Sequence, residues 1–291
     1  MEFGLHISIE GGLEKAPQRA AQAGCECFQI FSRSPHGGAS KKIDEHTAAV
    51  FGAAMEESRI RDFFIHSPYY INFSSENNRI RYGSVSAVKT EMEMADLLGA
   101  KGVVTHLGSA KDLGPEAAGK KLIEGITKVF ETSPASKTDE KYRKFEATLL
   151  LEITAGTGNI MGDTFDEIAE VIEGAEKKLG KGVLGVCFDT AHAFASGYDL
   201  STPEAVKETF SEFDKVIGLE RIKLVHLNDS AADLDSHIDR HANIGKGKIG
   251  LDGIRAIISV LKGLDLAFVL ETPLPGNAKD LEMLKGLRSE L

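Results

Sequence analysis

Short apolar runs alternate with amphipathic segments along the whole chain. The apolar runs are rich in Val, Ile, Leu and Phe, which is typical of buried strands. The segments between them repeat apolar residues at spacings of three and four, as at Phe165, Ile168 and Ile172, and this periodicity predicts helices. Strands are predicted at residues 4–9, 27–31, 62–66, 102–106, 148–152, 183–189, 222–226 and 266–271.

A helix is predicted after each of these strands. Parallel strands need long crossover connections, so regular alternation favours an α/β fold with a parallel sheet. Eight such units in roughly 250–300 residues predict a (β/α)8 TIM barrel, here as a single domain over residues 1–291. An open doubly wound sheet is the alternative, but Gly11-Gly12 is a weak match to its phosphate-binding fingerprint. The segments 32–42 and 133–139 are predicted as loops.

Six consecutive predicted strands end in a residue that can bind a metal. In the strand at 183–189, side chains alternate with period two, so Val183, Cys187 and Asp189 share one face. An ionised carboxylate at the end of that apolar row is costly unless it is paired, hydrogen-bonded or metal-bound. A barrel gathers the carboxyl ends of its strands around one axis. The six residues are His66, His106, Glu152, Asp189, His226 and Glu271.

Three further candidates lie just beyond strands six and seven: His192, Asp239 and His241. Imidazoles and carboxylates without a thiolate suit zinc, manganese or iron in a catalytic site. With three or four protein ligands per ion and one shared carboxylate, nine residues suit three ions. Each residue alone has an ordinary alternative, a hydrogen-bonded histidine or a carboxylate that caps a helix. The recurrence at six strand ends is what favours a metal centre.

Composition and charge narrow the possible function classes. The chain has a formal net charge of −10, which argues against a general nucleic-acid binder. Three divalent ions against four carboxylates would nevertheless leave about +2 in the pocket, enough to attract a phosphate. No apolar run could span a bilayer, no signal peptide is recognisable, and three cysteines argue against a disulfide scaffold. A cytoplasmic protein without membrane contact is expected.

Long, ordered motifs resemble the endonuclease IV family of apurinic/apyrimidinic endonucleases. They are Val-Cys-Phe-Asp-Thr-Ala-His-Ala-Phe-Ala-Ser-Gly-Tyr-Asp at 186–199, Val-His-Leu-Asn-Asp-Ser at 225–230, Asp-Arg-His at 239–241 and Leu-Glu-Ile-Thr-Ala-Gly at 151–156. The resemblance covers nearly the whole chain and implies a (β/α)8 barrel with three zinc ions, manganese being an alternative at one position. It implies hydrolysis 5′ to abasic sites in double-stranded DNA, leaving a 3′-hydroxyl, and trimming of blocked 3′ ends. A monomer active at the nucleoid is expected.

The resemblance also assigns the nine candidate ligands to individual ions. Glu152 bridges two ions and positions the attacking hydroxide, and Glu152 and Glu271 form the catalytic pair. By the family pattern His66 and His106 bind the first zinc, Asp189, His226 and Glu271 the second, and His192, Asp239 and His241 the third.

Two tyrosines and two lysines are candidate DNA contacts. Family members place bulky residues where Tyr69 and Tyr70 follow His66, and these wedge into the gap at the lesion while the abasic nucleotide is flipped out. Packing on the barrel rim is the alternative. Lys246 and Lys248 could hold phosphates, or could be solvated surface residues.

The loop after the second strand departs from the family pattern. The family commonly carries an inserting arginine there, with a tryptophan nearby, and this sequence has no Trp. By simple alignment His36 takes the place of the arginine, and Arg33 could substitute from another register. The departure affects lesion recognition rather than hydrolysis.

Two other functions stay open. A sugar isomerase or epimerase would use only Glu152, Asp189, His226 and Glu271 around one or two metals, which leaves the other five ligands without a necessary role. A catalytically weak lesion binder would bind DNA in a metal-dependent way without turnover.

Overall fold

A closed barrel of parallel strands organises the molecule, seen in a computed structural model that describes residues 1–37, 43–132 and 140–291. The predicted (β/α)8 barrel is thereby confirmed. The predicted loops at 32–42 and 133–139 lie wholly or partly outside the described residues. The strands are β1 (Glu2–His6), β2 (Cys27–Phe31), β3 (Asp62–His66), β4 (Gly102–Thr105), β5 (Thr148–Glu152), β6 (Leu184–Asp189), β7 (Ile222–His226), β8 (Asp229–Ser230), β9 (His241–Ala242) and β10 (Ala267–Leu270).

Helices follow the strands along the chain, and their apolar residues join one large core with the outer faces of the strands. None of the helices in the described ranges has both the length and the apolarity to cross a membrane. The helices are α1 (Ala16–Gln22), α2 (Glu45–Ser58), α3 (Asn78–Leu98), α4 (Pro115–Val129), α5 (Phe165–Leu179), α6 (Thr190–Ala195), α7 (Pro203–Val216), α8 (Gly250–Val260) and α9 (Asn277–Glu290).

The barrel closes because β1 pairs in parallel with both β2 and β10. Around the barrel the strand order is β1, β10, β7, β6, β5, β4, β3, β2. The short strands β8 and β9 stand apart as an antiparallel hairpin in which Ser230 pairs with His241. This hairpin and the short helix α6 were not predicted, and both lie after strands that end in candidate ligands.

Local signals set the ends of the helices. The Thr164 side chain accepts a hydrogen bond from the Glu167 backbone N–H and so caps α5. Gly99 ends α3 in the left-handed region, with φ of 78°. The strand bounds shift slightly from prediction: β1 begins at Glu2, and His106 and Glu271 each lie one residue beyond their strand.

The barrel interior holds a compact apolar layer. Its members are fully or almost fully buried and come from alternate positions of the strands, as period two requires. They are Cys27, Phe64, Val104, Leu150, Cys187, Leu224, Ala267 and Val269. We call this layer the apolar floor, because the polar residues at the strand ends lie directly above it.

Truncation of one side chain tests that floor. Leu150→Ala should lower the free energy of unfolding by about 2–5 kcal/mol, because the interior layer cannot collapse into the space left. Urea denaturation measures the change. Leu97→Ala, on an exposed part of α3, is the matched control and should change stability by about 0.5 kcal/mol or less. Equal losses would contradict a packed interior.

Candidate metal centre

One polar side chain from each barrel strand forms a ring directly above the apolar floor. Each lies two residues beyond an inward-facing position, as Glu152 follows Leu150 and Asp189 follows Cys187. The six predicted strand-end ligands all belong to this ring. The two remaining strands contribute residues that the sequence reading missed. The full ring is His6, Gln29, His66, His106, Glu152, Asp189, His226 and Glu271.

Glu152 lies at the centre of the first ligand group. Its Oε2 is 3.1 Å from His66 Nε2 and 3.2 Å from His106 Nε2. The three ligand atoms are close enough to share one ion. Glu152 is completely buried, so its charge depends on these partners.

The second group shares Glu152. His226 Nδ1 lies 2.9 Å from Glu152 Oε1, 3.7 Å from Asp189 Oδ2 and 3.5 Å from Glu271 Oε2. These four residues can also surround a single ion. A carboxylate common to both groups has the geometry that a bridging ligand needs.

The third group is assembled by α6 and the β8–β9 hairpin. Asp189 Oδ1 accepts a hydrogen bond from the His192 backbone N–H at 2.8 Å and thus caps α6, which turns His192 back over the barrel. The hairpin brings His241 to the same place. Asp239 Oδ1 lies 3.2 Å from His192 Nε2 and 3.7 Å from His241 Nε2. Asp189, His192 and His241 are also close enough to share an ion.

The hydrogen bonds of the histidines fit a metal-binding role. His66 Nδ1 lies 2.7 Å from the Ser67 carbonyl and His192 Nδ1 lies 2.9 Å from the Ile153 carbonyl, so these nitrogens carry protons and donate. In the neutral ring, the lone pair on the other nitrogen then faces a carboxylate oxygen. Two acceptors in contact repel each other unless a cation lies between them. The arrangement therefore suits neutral imidazoles bound to metal.

His241 gives the same indication independently. Its Nδ1 lies 3.3 Å from the Glu271 carbonyl oxygen. Its Nε2 is buried and has no hydrogen-bond partner among the residues that the structure describes. A buried polar atom without a partner is costly. Because this atom faces Asp189 and Asp239, a shared cation would satisfy all three.

The electrostatics keep the carboxylates charged. Burial alone would raise the pKa of Glu152, but His106 and His226 hold it well below its usual range. Burial would also raise the pKa of Glu271, but His226 and His6 hold that pKa well below its usual range. Burial disfavours a charged His192, yet Asp189 and Asp239 raise its pKa to about 10. The pocket is thus a set of ionised carboxylates that attracts positive charge.

Gln29 orients two ligands at once. It is completely buried. Its Oε1 accepts from His226 Nε2 at 2.9 Å, which leaves His226 Nδ1 free to face the carboxylates. Its Nε2 donates to Glu271 Oε1 at 2.8 Å, and His6 Nδ1 lies 3.0 Å from the same oxygen. Its signal in the sequence was its position two residues beyond the inward-facing Cys27.

Asn228 performs a similar task on the other side of the ring. Its Nδ2 donates to Asp189 Oδ2 at 2.8 Å, and its Oδ1 accepts from the Glu271 backbone N–H at 2.8 Å. Cys187 lies near Glu152 and His226, but burial raises the pKa of its thiol to about 12. A thiol that stays protonated is a poor ligand.

A cleft of about 680 Å³ opens above the centre and contains most of the candidate ligands. Tyr69 lines it, is 55% exposed, and has its ring 6.0 Å from that of His66. Tyr70 is 43% exposed and does not line the cleft. Leu274 stands on the rim, 79% exposed, and the sequence reading missed it.

The candidates in the loop after β2 have different surroundings. Arg33 is folded back against α3, where its Nε lies 2.5 Å from Oε1 of the buried Glu91, and its side chain is only 13% exposed. The His36 ring lies 6.0 Å from the Tyr69 ring. His36 therefore lies beside the cleft wall, whereas Arg33 is held away from it.

Lys246 and Lys248 lie on the segment between β9 and α8. Both are exposed. Lys248 Nζ is 2.9 Å from Oδ1 of the exposed Asp233, and the Gly247 N–H donates to the buried carboxylate of Asp229 at 2.9 Å. Neither lysine lines the cleft, and their role as DNA contacts stays a prediction.

The fold and site match known proteins. The family model described as xylose isomerase-like TIM barrel matches residues 17–288, which places the chain in that class of barrels. A probable endonuclease 4 of Methanoculleus marisnigri is 40% identical over 277 residues, covering 95% of this chain and 94% of the relative. The crystal structure of endonuclease IV from Thermus thermophilus has a TM-score of 0.84 and 32% identity and covers 100% of both chains. The chain belongs to the endonuclease IV family.

A more distant match bears on the alternative function. The crystal structure of a D-tagatose 3-epimerase-like protein has a TM-score of 0.74 but only 19% identity, covering 99% of this chain and 97% of that one. At that identity the likeness concerns the fold alone.

The role of Gln29 can be tested by metal affinity. Gln29→Met removes the acceptor that fixes the His226 ring, so zinc affinity should fall roughly 10- to 100-fold. Competition with a chelator of known affinity at fixed pH measures it. Gln18→Met, on the exposed side of α1, is the matched control and should bind zinc like the unchanged protein. Unchanged affinity in Gln29→Met would remove Gln29 from the support of the centre.

Proposed function

We propose that this protein is a zinc-dependent apurinic/apyrimidinic endonuclease of base excision repair. It hydrolyses the phosphodiester bond 5′ to an abasic site in double-stranded DNA, leaves a 3′-hydroxyl, and also trims blocked 3′ ends. The observation that carries the proposal is the clustering of five histidines and four carboxylates, seven of which line one cleft, in a member of the endonuclease IV family. A cytoplasmic monomer remains our expectation.

Three zinc ions, with manganese as an alternative at one position, would occupy the three ligand groups. The short distances within each group support three positions, with Asp239 close to His192 and His241 and with Glu152 shared by the first two groups. Because the imidazoles are neutral and four carboxylates oppose three divalent ions, the loaded centre is net positive, at about +2. The proposed ligands are His66 and His106 for the first ion, Asp189, His226 and Glu271 for the second with Glu152 shared, and His192, Asp239 and His241 for the third.

The residues of the chain hold and orient the reactants. Zinc held by these residues would supply Lewis acidity toward the phosphate and would lower the pKa of water. Glu152, with both oxygens between facing imidazoles, orients the attacking water toward phosphorus. Glu271 is fixed by Gln29 and His6, so it holds its position while charge develops on the phosphate. No side chain needs to form a covalent intermediate.

Tyr69 is the strongest candidate for the DNA contact at the lesion. Its ring packs against Phe31, with centroids 5.1 Å apart, and more than half of the residue is exposed beside the cleft. A rigid aromatic ring can fill the gap that a flipped-out nucleotide leaves. Tyr70, His36, Lys246 and Lys248 complete the proposed DNA-binding set, and Arg33 is left out of it because its ion pair with the buried Glu91 holds it away from the cleft.

The sugar isomerase or epimerase is the second candidate. The group of Glu152, Asp189, His226 and Glu271 would be sufficient for it, and this group is present. The observation against it is that four further histidines lie around the same cleft with their ring nitrogens directed at carboxylates. They are His66, His106, His192 and His241. Sugar isomerisation at one or two metals leaves these four without a task.

Cleavage of a duplex oligonucleotide with one abasic site tests the proposed function. The zinc-loaded protein should cut 5′ to the lesion, and a chelator should abolish cutting. Glu152→Gln should lower kcat/KM by at least about 10³-fold, because the amide cannot serve as the shared anionic ligand. Denaturing electrophoresis of end-labelled DNA measures both rate and position.

An undamaged duplex and a panel of ketoses are the controls for this assay. The undamaged duplex should stay intact. Absence of cutting by the fully loaded protein, together with turnover of a sugar, would establish the isomerase instead. Full activity of Glu152→Gln would remove Glu152 from the mechanism.

Two substitutions at Tyr69 separate its ring from its hydroxyl. Tyr69→Ala should weaken binding to abasic duplex by about ten-fold or more, since base–aromatic stacking contributes roughly 1–3 kcal/mol. Cleavage of a blocked 3′ end should suffer less, because no gap has to be filled there. Tyr69→Phe should bind abasic duplex normally. Equal losses of Tyr69→Ala on both substrates would contradict the wedge.

A further inference from the structure

Arg19 gives the cleft a permanent positive charge. Among the residues that the structure describes, Arg19 is the single Lys or Arg that lines it. The other polar groups on its wall are histidines, carboxylates, hydroxyls and one asparagine. Arg19 comes from α1, far in sequence from the motifs that carry the metal ligands, and no role has been assigned to it above.

The guanidinium of Arg19 is fixed without being neutralised. Its Nη1 donates to the Ser8 carbonyl at 2.7 Å, and its Nη2 donates to the Glu10 carbonyl at 2.5 Å. Within the described residues the guanidinium of Arg19 forms no ion pair with a carboxylate, and its hydrogen-bond partners are these two carbonyls. Carbonyl oxygens accept hydrogen bonds but carry no net charge, so the positive charge stays available. A guanidinium has five N–H donors, and these two bonds leave donors free.

Further polar groups lie on the same side of the cleft as Arg19. His6 lines this wall, and its Nε2 is buried without a hydrogen-bond partner among the described residues, while Nδ1 faces Glu271. Asn277, at the start of α9, also lines the cleft. We call Arg19, His6 and Ser8 the β1 wall.

We propose that the β1 wall binds a second backbone phosphate of the DNA, adjacent to the one that is hydrolysed, with Arg19 as its principal donor. This inference rests on the proposed function, since it assumes a DNA substrate. It follows from charge and geometry: the protein is acidic, with net charge −10, so a polyanion needs local cations to bind. A guanidinium fork matches the oxygens of a phosphate.

The phosphate bound there is distinct from the one at the metal centre. Arg19 is tied to the carbonyls at positions 8 and 10 and has no hydrogen bond or ion pair with any of the nine candidate ligands in the described part of the chain. It therefore positions the strand rather than taking part in bond cleavage. The competing explanation is that Arg19 only stabilises the β1–α1 loop. The experiment has to distinguish phosphate binding from this structural role.

Removal of single charges from the DNA provides that separation. Abasic duplexes are prepared in which one backbone phosphate at a time, on either side of the lesion, is replaced by an uncharged methylphosphonate. Dissociation constants are measured with zinc-loaded protein and a non-cleavable scissile linkage. Loss of the contacted charge should weaken binding by on the order of ten-fold at one position.

Arg19→Gln should then show the matching defect. The affinity of Arg19→Gln for fully charged DNA should equal the affinity of the unchanged protein for the one sensitive methylphosphonate duplex. The variant should bind that methylphosphonate duplex and fully charged DNA with the same affinity. The slope of log Kd against log salt should fall by about 1. Arg19→Lys keeps the positive charge but loses the forked guanidinium, so its affinity should lie between those of Arg19→Gln and the unchanged protein.

Arg61→Gln is the matched control. Arg61 lies just before β3, at the other end of the barrel, and is 82% exposed. The Arg61→Gln variant should bind every duplex with the same affinity as the unchanged protein. Thermal unfolding of each variant reports on the fold. The inference is wrong if the loss of affinity from Arg19→Gln adds to the loss from the methylphosphonate at every position, or if the salt dependence of Kd is the same as for the unchanged protein. Arg19 would then only stabilise the β1–α1 loop. If the unchanged protein cuts no abasic duplex, the proposed function itself has failed.

Discussion

The centre of this structure depends on the burial of Glu152. A carboxylate with no solvent contact must be compensated by positive charge, and imidazole nitrogens lie against both of its oxygens. These imidazoles are held by their other nitrogens, so their lone pairs face the carboxylates. That combination is stable when divalent cations lie between the rings and the carboxylates, which is why the site is best understood as a metal centre built into the barrel.

The supports of the ring are as important as the ligands. Gln29 sets the orientation of His226 and Glu271, and Asn228 joins Asp189 to the backbone of Glu271. Asp189 has two functions, since one oxygen caps α6 and the other faces His226 and His241. Because Asp189 both caps α6 and faces the histidines, the folding of α6 is coupled to the geometry of the site. A substitution that disturbs α6 is therefore expected to disturb the site as well.

In the proposed function, DNA recognition and hydrolysis occupy different parts of the cleft. Tyr69 forms one wall and Arg19 another, with the ligand groups between them. Arg33, by contrast, is drawn away from the cleft by the buried Glu91. An acidic protein can therefore act on DNA with few exposed cations near the lesion, provided that the metal centre supplies most of the local positive charge and the remaining contacts are rigid.

Hydrophobic periodicity alone determined the barrel, because eight apolar runs separated by amphipathic helices have few other ways to bury their faces. The strand-end position of six ligands was also readable, since period two and parallel pairing place them on one face. His6 and Gln29 obey the same rule, but a histidine and an amide at unremarkable strand ends carry no recognisable motif. Tertiary structure decided their contacts, the burial of Arg33 against Glu91 and the free charge of Arg19. These depend on which side chains meet across distant segments, and no local pattern encodes that.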